Sequence, residues 1–361
     1  MEAVSSRQQS IHSESEGTIA FSSPSNIALV KYWGKYGNQL PLNPSVSFTL
    51  EHARTEMKLT YSPKPSAEHS TIDLSFRFEG KENHAFAKKI HVFLTSLLPE
   101  MPFLAEFTLA IDSSNSFPHS VGIASSASSM SALGCCLAAM ENRLRPGWCP
   151  DFTQRASFLS RLGSGSACRS LFPLCASWGK SASLSGSSDT TASPLEDSLH
   201  PLFHSYHDAI LLVSQKEKEV SSRAGHGLMI NHPYAPIRYE QANQHFSRML
   251  QILQAGDLDA FADLTESEAM TLHALMMASS PYFILLEPQT LSIIRKVRGF
   301  RKDSGIPLCF TLDAGPNVHL LYPTSAKTAV NAFICSDLAP FCANGQWIAD
   351  KVGRGPRHLS P

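Results

Sequence analysis

No apolar run in this 361-residue chain reaches the roughly 18 residues that a membrane-spanning helix needs. Residues Met1 to Gly17 are polar and Ser-rich, with no signal-peptide hydrophobic stretch, so the sequence predicts a cytoplasmic protein with a frayed N-terminal tail over residues 1–16. A charge imbalance is missing too. With 30 basic and 31 acidic side chains the formal net charge is −1, and no global field would recruit nucleic acid or an anionic membrane. Any anion must be held by a local site. There is no Cys-x-x-Cys pair and no His-Glu-x-x-His, the usual zinc spacings. Eight cysteines without a secretion signal read as reduced thiols, with Cys135 and Cys136 as core filler. His200, His204 and His207 fall within eight residues, but they surround Pro201 and Leu202 before a strand and have no acidic partner at helical spacing. They are not a metal site on this reading.

What the chain does have is 43% hydrophobic content, ample for two lobes. Short strands are expected at Thr18 to Ser22 and Ser45 to Leu50, with Pro24 to Pro44 as a binding loop between them. Strands at Glu56 to Tyr61, Thr71 to Phe78 and Glu106 to Ile111 and a helix over Lys81 to Leu98 make the order mixed. Met130, Leu133, Leu137 and Met140 share one helical face, and small residues fill the rest, which predicts a tightly buried helix from Ser125 to Met140. Lys180 to Pro194 is so rich in Ser, Thr, Gly and Ala that it reads as a mobile loop or lobe boundary without chemistry. Beyond it come a strand at Asp208 to Ser214, helices around Tyr239 to Ala255, Leu258 to Ala278 and Pro288 to Lys302, and paired strands Pro307 to Leu312 and Val318 to Tyr322.

Four segments carry chemistry. Gly163 to Ser170 packs two glycines, several hydroxyls and Arg169 into eight residues, and runs into an apolar Leu-Phe continuation unlike a linker. Glycines admit a ligand close to the backbone, and a guanidinium grips a carboxylate or phosphate in two-toothed fashion, so the segment reads as an anion cradle. Ser116 to Ala127 leads from a polar loop into the buried helix, placing free N–H donors and a positive dipole end at a phosphate-sized opening. It lacks Gly-Lys-Ser/Thr, and an ordinary Ser-capped helix has the same look. Asn26 to Lys35 sets Lys31 and Lys35 around Tyr32 and Trp33, where an anion or a cation–π contact accounts equally for the arrangement. Asp313 follows a strand in a Gly-Pro turn, a place for a rigid carboxylate base or for a plain structural turn. Cys168 borders Arg169, which would lower its pKa, yet no His is spaced beside it as a base, so it reads as a bystander thiol.

Taken in this order, Asn26 to Lys35, Phe117 to Ala127, Gly163 to Phe172, Val220-Ser221-Ser222 and Phe310 to Asn317 make the chain resemble the diphosphomevalonate decarboxylases of the GHMP kinase superfamily, from about Thr18 to the end. The resemblance implies an α+β, two-lobed GHMP kinase-like fold. Its N-terminal ATP-binding lobe, residues 17–199, would be mixed α/β and like domain 2 of ribosomal protein S5. Its C-terminal lobe, residues 200–361, would be a ferredoxin-like α+β unit. The implied activity is ATP- and Mg2+-dependent decarboxylation of mevalonate 5-diphosphate to isopentenyl diphosphate by a homodimer, with no nucleic-acid or membrane partner.

The implied catalytic residues are Asp313, Arg169 and Lys31. Substrate would be held by Tyr32, Trp33, Gly34, Lys35, Ser164, Gly165, Ser166, Ala167, Cys168, Arg169, Ser222 and Arg223. ATP would lie on Ser116, Gly122, Ile123, Ala124, Ser125 and Ser126, with Ser125 on magnesium. The sequence departs from the family pattern at Pro173-Leu174, where Gly-Gly is common, and at Arg223 and His119, where Thr is common. Retention of Arg169 and Asp313 together favours full decarboxylation over a mevalonate kinase-like enzyme or a non-catalytic ligand-binding relative, and a mevalonate 5-phosphate decarboxylase stays as the alternative.

Overall fold

In the computed structural model, which describes residues 16–65, 71–118, 125–215 and 222–360, two long strands organise everything else. Gly17–Val30 pairs antiparallel with Ser45–Pro63, and both run on well past the short strands expected from the sequence. Register shifts between Pro24 and Asn26 and between Ala28 and Val30 let the ladder bend around Pro24, which has no N–H to donate. The expected loop from Pro24 to Pro44 is therefore corrected: its first seven residues, through Val30, continue the strand, and only Lys31 to Pro44 forms the turn.

The bend carries one strand pair through two cores. Ile19, Phe21, Met57 and Leu59 face the first, against the helices His84–Ser96, Ser125–Leu144 and Phe152–Gly163. Ile27, Leu29, Val46 and Phe48 face the second, against Phe246, Met249, Phe261 and Leu264. The small residues of Ser125–Leu144 have a steric reason. A Cβ on Gly134 would lie 2.2 Å from Ser160 Oγ and 2.9 Å from the Ala156 carbonyl, so the neighbouring helix Phe152–Gly163 approaches backbone to backbone.

The first sheet has eight strands, with Phe107–Asn115, Asp73–Phe78 and Lys81–Glu82 beyond Ser45–Pro63 on one side and Cys175–Trp178 and Ala192–Pro194 branching from its start. The last strand, Arg357–Leu359, returns to pair with Ala20 to Ser22 and closes the opposite edge. A second sheet of four antiparallel strands orders Cys309–Leu312, Val318–Tyr322, His207–Leu211 and Trp347–Lys351. Helices Ala235–Ala255 and Leu258–Met277 fill the space between the sheets, and Pro288–Ser304 and Lys327–Phe333 line a third core with Phe310, Leu320 and Ile334. This is the two-lobed α+β architecture of the GHMP type.

Candidate active site

Lys31 is the first residue past the strand Gly17–Val30, and the chain there leaves one lobe and meets three elements of the other. Its ammonium Nζ lies 3.3 Å from Asp313 Oδ1, in the turn after Cys309–Leu312. Lys31 is 2% exposed, whereas the Asp313 side chain is 26% exposed and faces outward. Burial pulls the Lys31 pKa below its ordinary value, against the opposing pull of Asp313 and Glu268. His273 Nε2 sits 3.0 Å from the Asp313 carbonyl and fixes the turn from the helix Leu258–Met277.

Arg169 is buried to 2% exposure in the 3-10 turn Gly165–Leu171. Its Nε donates to Ser47 Oγ at 2.9 Å, Nη1 to Ser45 Oγ at 2.5 Å and Nη2 to Asn26 Oδ1 at 3.2 Å. All three acceptors are neutral. Among the described residues no carboxylate forms an ion pair with this guanidinium, and one N–H on each terminal nitrogen remains for a ligand. Burial lowers its pKa from the ordinary value, while Cys168, Tyr32 and Asp313 oppose that. A buried cation ringed by hydroxyls and an amide is oriented for a bound anion.

Asn26, Ser45 and Ser47 were not expected in the site. They belong to the two long strands, where polar Asn26, Ser45 and Ser47 alternate with Ile27, Val46 and Phe48 of the second core. That alternation is the signal: a hydroxyl at every second position of a strand buried on both faces needs an internal partner. Asn26 also donates to Ser170 Oγ at 2.8 Å and to the Ser166 carbonyl at 3.1 Å, stitching the strand to the cradle.

Around this pair the aromatic segment packs tightly. Tyr32 meets Trp178 edge-on at 4.8 Å and stacks on His226 at 4.3 Å, while Trp33 packs beside Met229, Leu272 and Met276. Gly34 holds a φ of +96°, and a Cβ there would meet Tyr239 Oη at 2.4 Å. Its N–H donates to His226 Nδ1 at 3.0 Å. Burial, with Lys35 nearby, pushes the His226 pKa down to about 3, so the ring is a neutral acceptor at that nitrogen. Lys35 Nζ donates to Gln39 Oε1 at 2.8 Å.

Gly165 and Ala167 are buried, Ser164 and Ser166 half-buried, and Ser164 Oγ lies 3.4 Å from Ser126 Oγ. The cradle thus touches the start of the helix Ser125–Leu144. Ser125 is half-buried and Ser126 exposed there. Ser116 is held by the strand: its hydroxyl donates to the His52 carbonyl and accepts from the Arg54 N–H. Gly122, Ile123 and Ala124 lie outside the described residues, as do the side chains of Ser222 and Arg223.

Two expectations are corrected. Cys168 has no lowered pKa: burial pushes its thiol up to about 12 and outweighs Arg169 and Arg161, and Sγ sits 3.0 Å from the Gly165 carbonyl. The segment Lys180 to Pro194 is anchored rather than loose at Asp189. The Asp189 carbonyl accepts from the Trp178 indole at 2.9 Å, and its carboxylate accepts from the Tyr36 hydroxyl at 3.3 Å and the Lys180 N–H at 2.7 Å. His200, His204 and His207 are occupied by the Leu202 N–H, the Leu199 carbonyl and the Tyr322 ring.

Residues 23–192 match the diphosphomevalonate decarboxylase-like N-terminal domain, and residues 209–357 match the mevalonate 5-diphosphate decarboxylase C-terminal domain. Among curated relatives, the diphosphomevalonate decarboxylase of Candida albicans is 30% identical across 95% of this chain and 98% of its own. That of Saccharomyces cerevisiae is 28% identical across 88% of this chain and 81% of its own. Among solved structures, mevalonate diphosphate decarboxylase from Staphylococcus aureus superposes with a TM-score of 0.80 at 26% identity, covering 96% of this chain and 99% of that one. The structure described as MDDEF in complex with MVAPP, AMPPCP and magnesium gives 0.78 at 28% identity, covering 95% and 99%. With both of its halves matched by family models and a relative 30% identical across nearly its whole length, the chain belongs to the diphosphomevalonate decarboxylase family.

Proposed function

We propose that this protein uses ATP to phosphorylate the tertiary hydroxyl of mevalonate 5-diphosphate and then releases phosphate and carbon dioxide, leaving isopentenyl diphosphate. The observation that carries the reading is Arg169, a buried cation whose hydrogen-bond partners among the described residues are all neutral, in a cluster with the Lys31–Asp313 pair. The hydroxyl of a tertiary alcohol is a poor leaving group, and phosphate, once the hydroxyl is esterified, is a good one. Asp313 accepts the hydroxyl proton as the oxygen attacks the γ-phosphorus and the bond to the β,γ-bridging oxygen breaks, its electron pair leaving with ADP, and Lys31 offsets the negative charge that develops beside it. When the carbon–oxygen bond of the phosphate ester breaks, its electron pair leaves with phosphate. The carbon–carbon bond to the carboxylate then breaks, and its electrons form the new double bond as carbon dioxide departs. Arg169 holds that carboxylate in line with the departing group.

Tyr32, Lys35, Ser164 and Ser166 take the diphosphate end, together with Ser222 and Arg223 of the helix Ser222–Gly227. The nucleotide phosphates lie against Gly122, Ser125 and Ser126. Magnesium bound with ATP neutralises charge on those phosphates during transfer. Ser125, a half-buried hydroxyl at the first residue of its helix, supplies the hard oxygen that suits this ion. Family membership supports a homodimer working in the cytoplasm and a lobe division at residues 199 and 200. None of the helices in the described residues is long and apolar enough to cross a membrane.

The test is mass spectrometry of the purified protein incubated with magnesium-ATP and, separately, mevalonate, its 5-phosphate and its 5-diphosphate. Isopentenyl diphosphate from the last alone supports the reading. A product from the monophosphate alone, or phosphorylation without loss of carbon dioxide, refutes it.

A further inference from the structure

Past Val30, whose partner is Val46, the strand ladder stops, and the Lys31 peptide groups need other partners. The opposite lobe supplies two of them as charged side chains, and Asn43 of the same lobe as Lys31 supplies a third. The Lys31 N–H donates to Glu268 Oε2 at 2.7 Å, and the Lys31 carbonyl accepts from Arg238 Nη2 at 2.9 Å and from Asn43 Nδ2 at 3.0 Å. Arg238 and Glu268 in turn form a bidentate pair at 2.7 Å on both arms, and His245 Nδ1 sits 2.6 Å from Glu268 Oε1. Arg238 and His245 come from the helix Ala235–Ala255, Glu268 from Leu258–Met277. Arg238 is 3% exposed and Glu268 wholly buried. Burial alone would raise the Glu268 pKa, but hydrogen bonds from His245 and Arg238 outweigh it and hold the group below its ordinary value, charged.

A buried ion pair is a poor way to gain stability, because apolar side chains of similar volume pack as well without the desolvation cost. Here the pair does something such side chains cannot: its two members grip the N–H and the C=O of one residue. On the reading of Lys31 given above, we propose that the Arg238–Glu268–His245 cluster is a positioning device that sets the Lys31 ammonium on Asp313, and so assembles the catalytic pair only when the two lobes are docked. The three residues touch no reacting atom. They act through Lys31, whose displacement by about 1 Å would cost on the order of a hundredfold in rate.

The test is a double-mutant cycle in the full-length protein, with Glu268→Gln and Lys31→Met made singly and together and followed by single-turnover quench with labelled ATP. Expected is a fall of roughly tenfold to a hundredfold in the chemical rate for Glu268→Gln, with both substrate KM values within about threefold of the parent. In the Lys31→Met background the same change should alter the residual rate by less than about twofold, since there is no ammonium left to position. Equal fold losses in both backgrounds, or an unchanged rate for folded Glu268→Gln, overturn the positioning role. A near-normal rate for Lys31→Met instead overturns the underlying reading of Lys31, so the two failures are distinct. If Glu268→Gln does not fold, the neutral pair Arg238→Gln with Glu268→Gln leaves no lone buried charge and is read by the same criteria.

Discussion

Lys31 and Asp313 meet at 3.3 Å with the cation buried and the carboxylate on the open side. The Lys31 side chain is 3% exposed and that of Asp313 26%, so the carboxylate is the more open face of the pair. This ordering suits a base that takes a proton from substrate while the cation behind it keeps the charge balanced.

Asp313→Asn keeps the shape of that face but removes its capacity to accept a proton. Turnover is expected to fall about a hundredfold or more, with ATP and substrate binding within a few fold of the parent. Steady-state kinetics alongside equilibrium binding check this, and near-normal turnover would remove Asp313 from the mechanism.

Gly165 tests the fit of the cradle against Tyr32. A Cβ at this position would lie 2.6 Å from the Trp178 ring and 2.8 Å from Tyr32 Oη, so Gly165→Ala must displace both aromatics. Because Tyr32 is assigned to the diphosphate end, KM for the diphosphate substrate should rise about tenfold while kcat changes less than about threefold. A loss confined to kcat would move Tyr32 away from the diphosphate.

His226 gives a pH signature. In the unfolded chain its ring takes up a proton near 6.5, whereas burial delays this in the folded protein to a pH of about 3. Between those values the unfolded chain binds more protons, so stability is lost as pH falls through this window, by up to about 1.4 kcal/mol per unit. Above 6.5 the group contributes no slope. His226→Asn keeps an acceptor for the Gly34 N–H without a titrating ring, and its melting temperature should fall less steeply than that of the parent between pH 4 and 6.5. Parallel slopes would contradict the buried neutral ring.

Short motifs pointed to Lys31, Arg169 and Asp313 one at a time, and the roles of Lys31 and Asp313 came from the family resemblance. Their partners were hidden by distance along the chain. Arg169 is held by Asn26, Ser45 and Ser47, over 120 positions away, and Lys31 by Arg238 and Glu268, over 200 away. One clue was present: Glu268 falls at helical spacing with Leu264 and Leu272, and Arg238 with Ala242, so two opposite charges occupy the buried faces of consecutive helices. The helices that were expected lie close to their observed positions because the 3.6-residue period survives local noise, whereas Phe152–Gly163 and Lys327–Phe333 were not expected at all. The long strand Gly17–Val30 was cut short because Pro24 punctuates it, and a bulge that tolerates proline is decided by the pairing strand. Cys168 was misjudged on charge because adjacency to Arg169 is visible in sequence and complete burial is not.

The clamp on the carboxylate is the claim that separates a decarboxylase from a kinase on this fold, and Arg169→Lys tests it most directly. Lysine keeps the charge but cannot hold Asn26, Ser45 and Ser47 while also gripping two oxygens in one plane. Single-turnover quench with labelled ATP and mevalonate 5-diphosphate should show isopentenyl diphosphate formation slowed about a hundredfold or more, with a phosphorylated, undecarboxylated intermediate accumulating. Unchanged formation of isopentenyl diphosphate in that assay would show that Arg169 does not align the carboxylate, and would reduce its segment to phosphate binding alone.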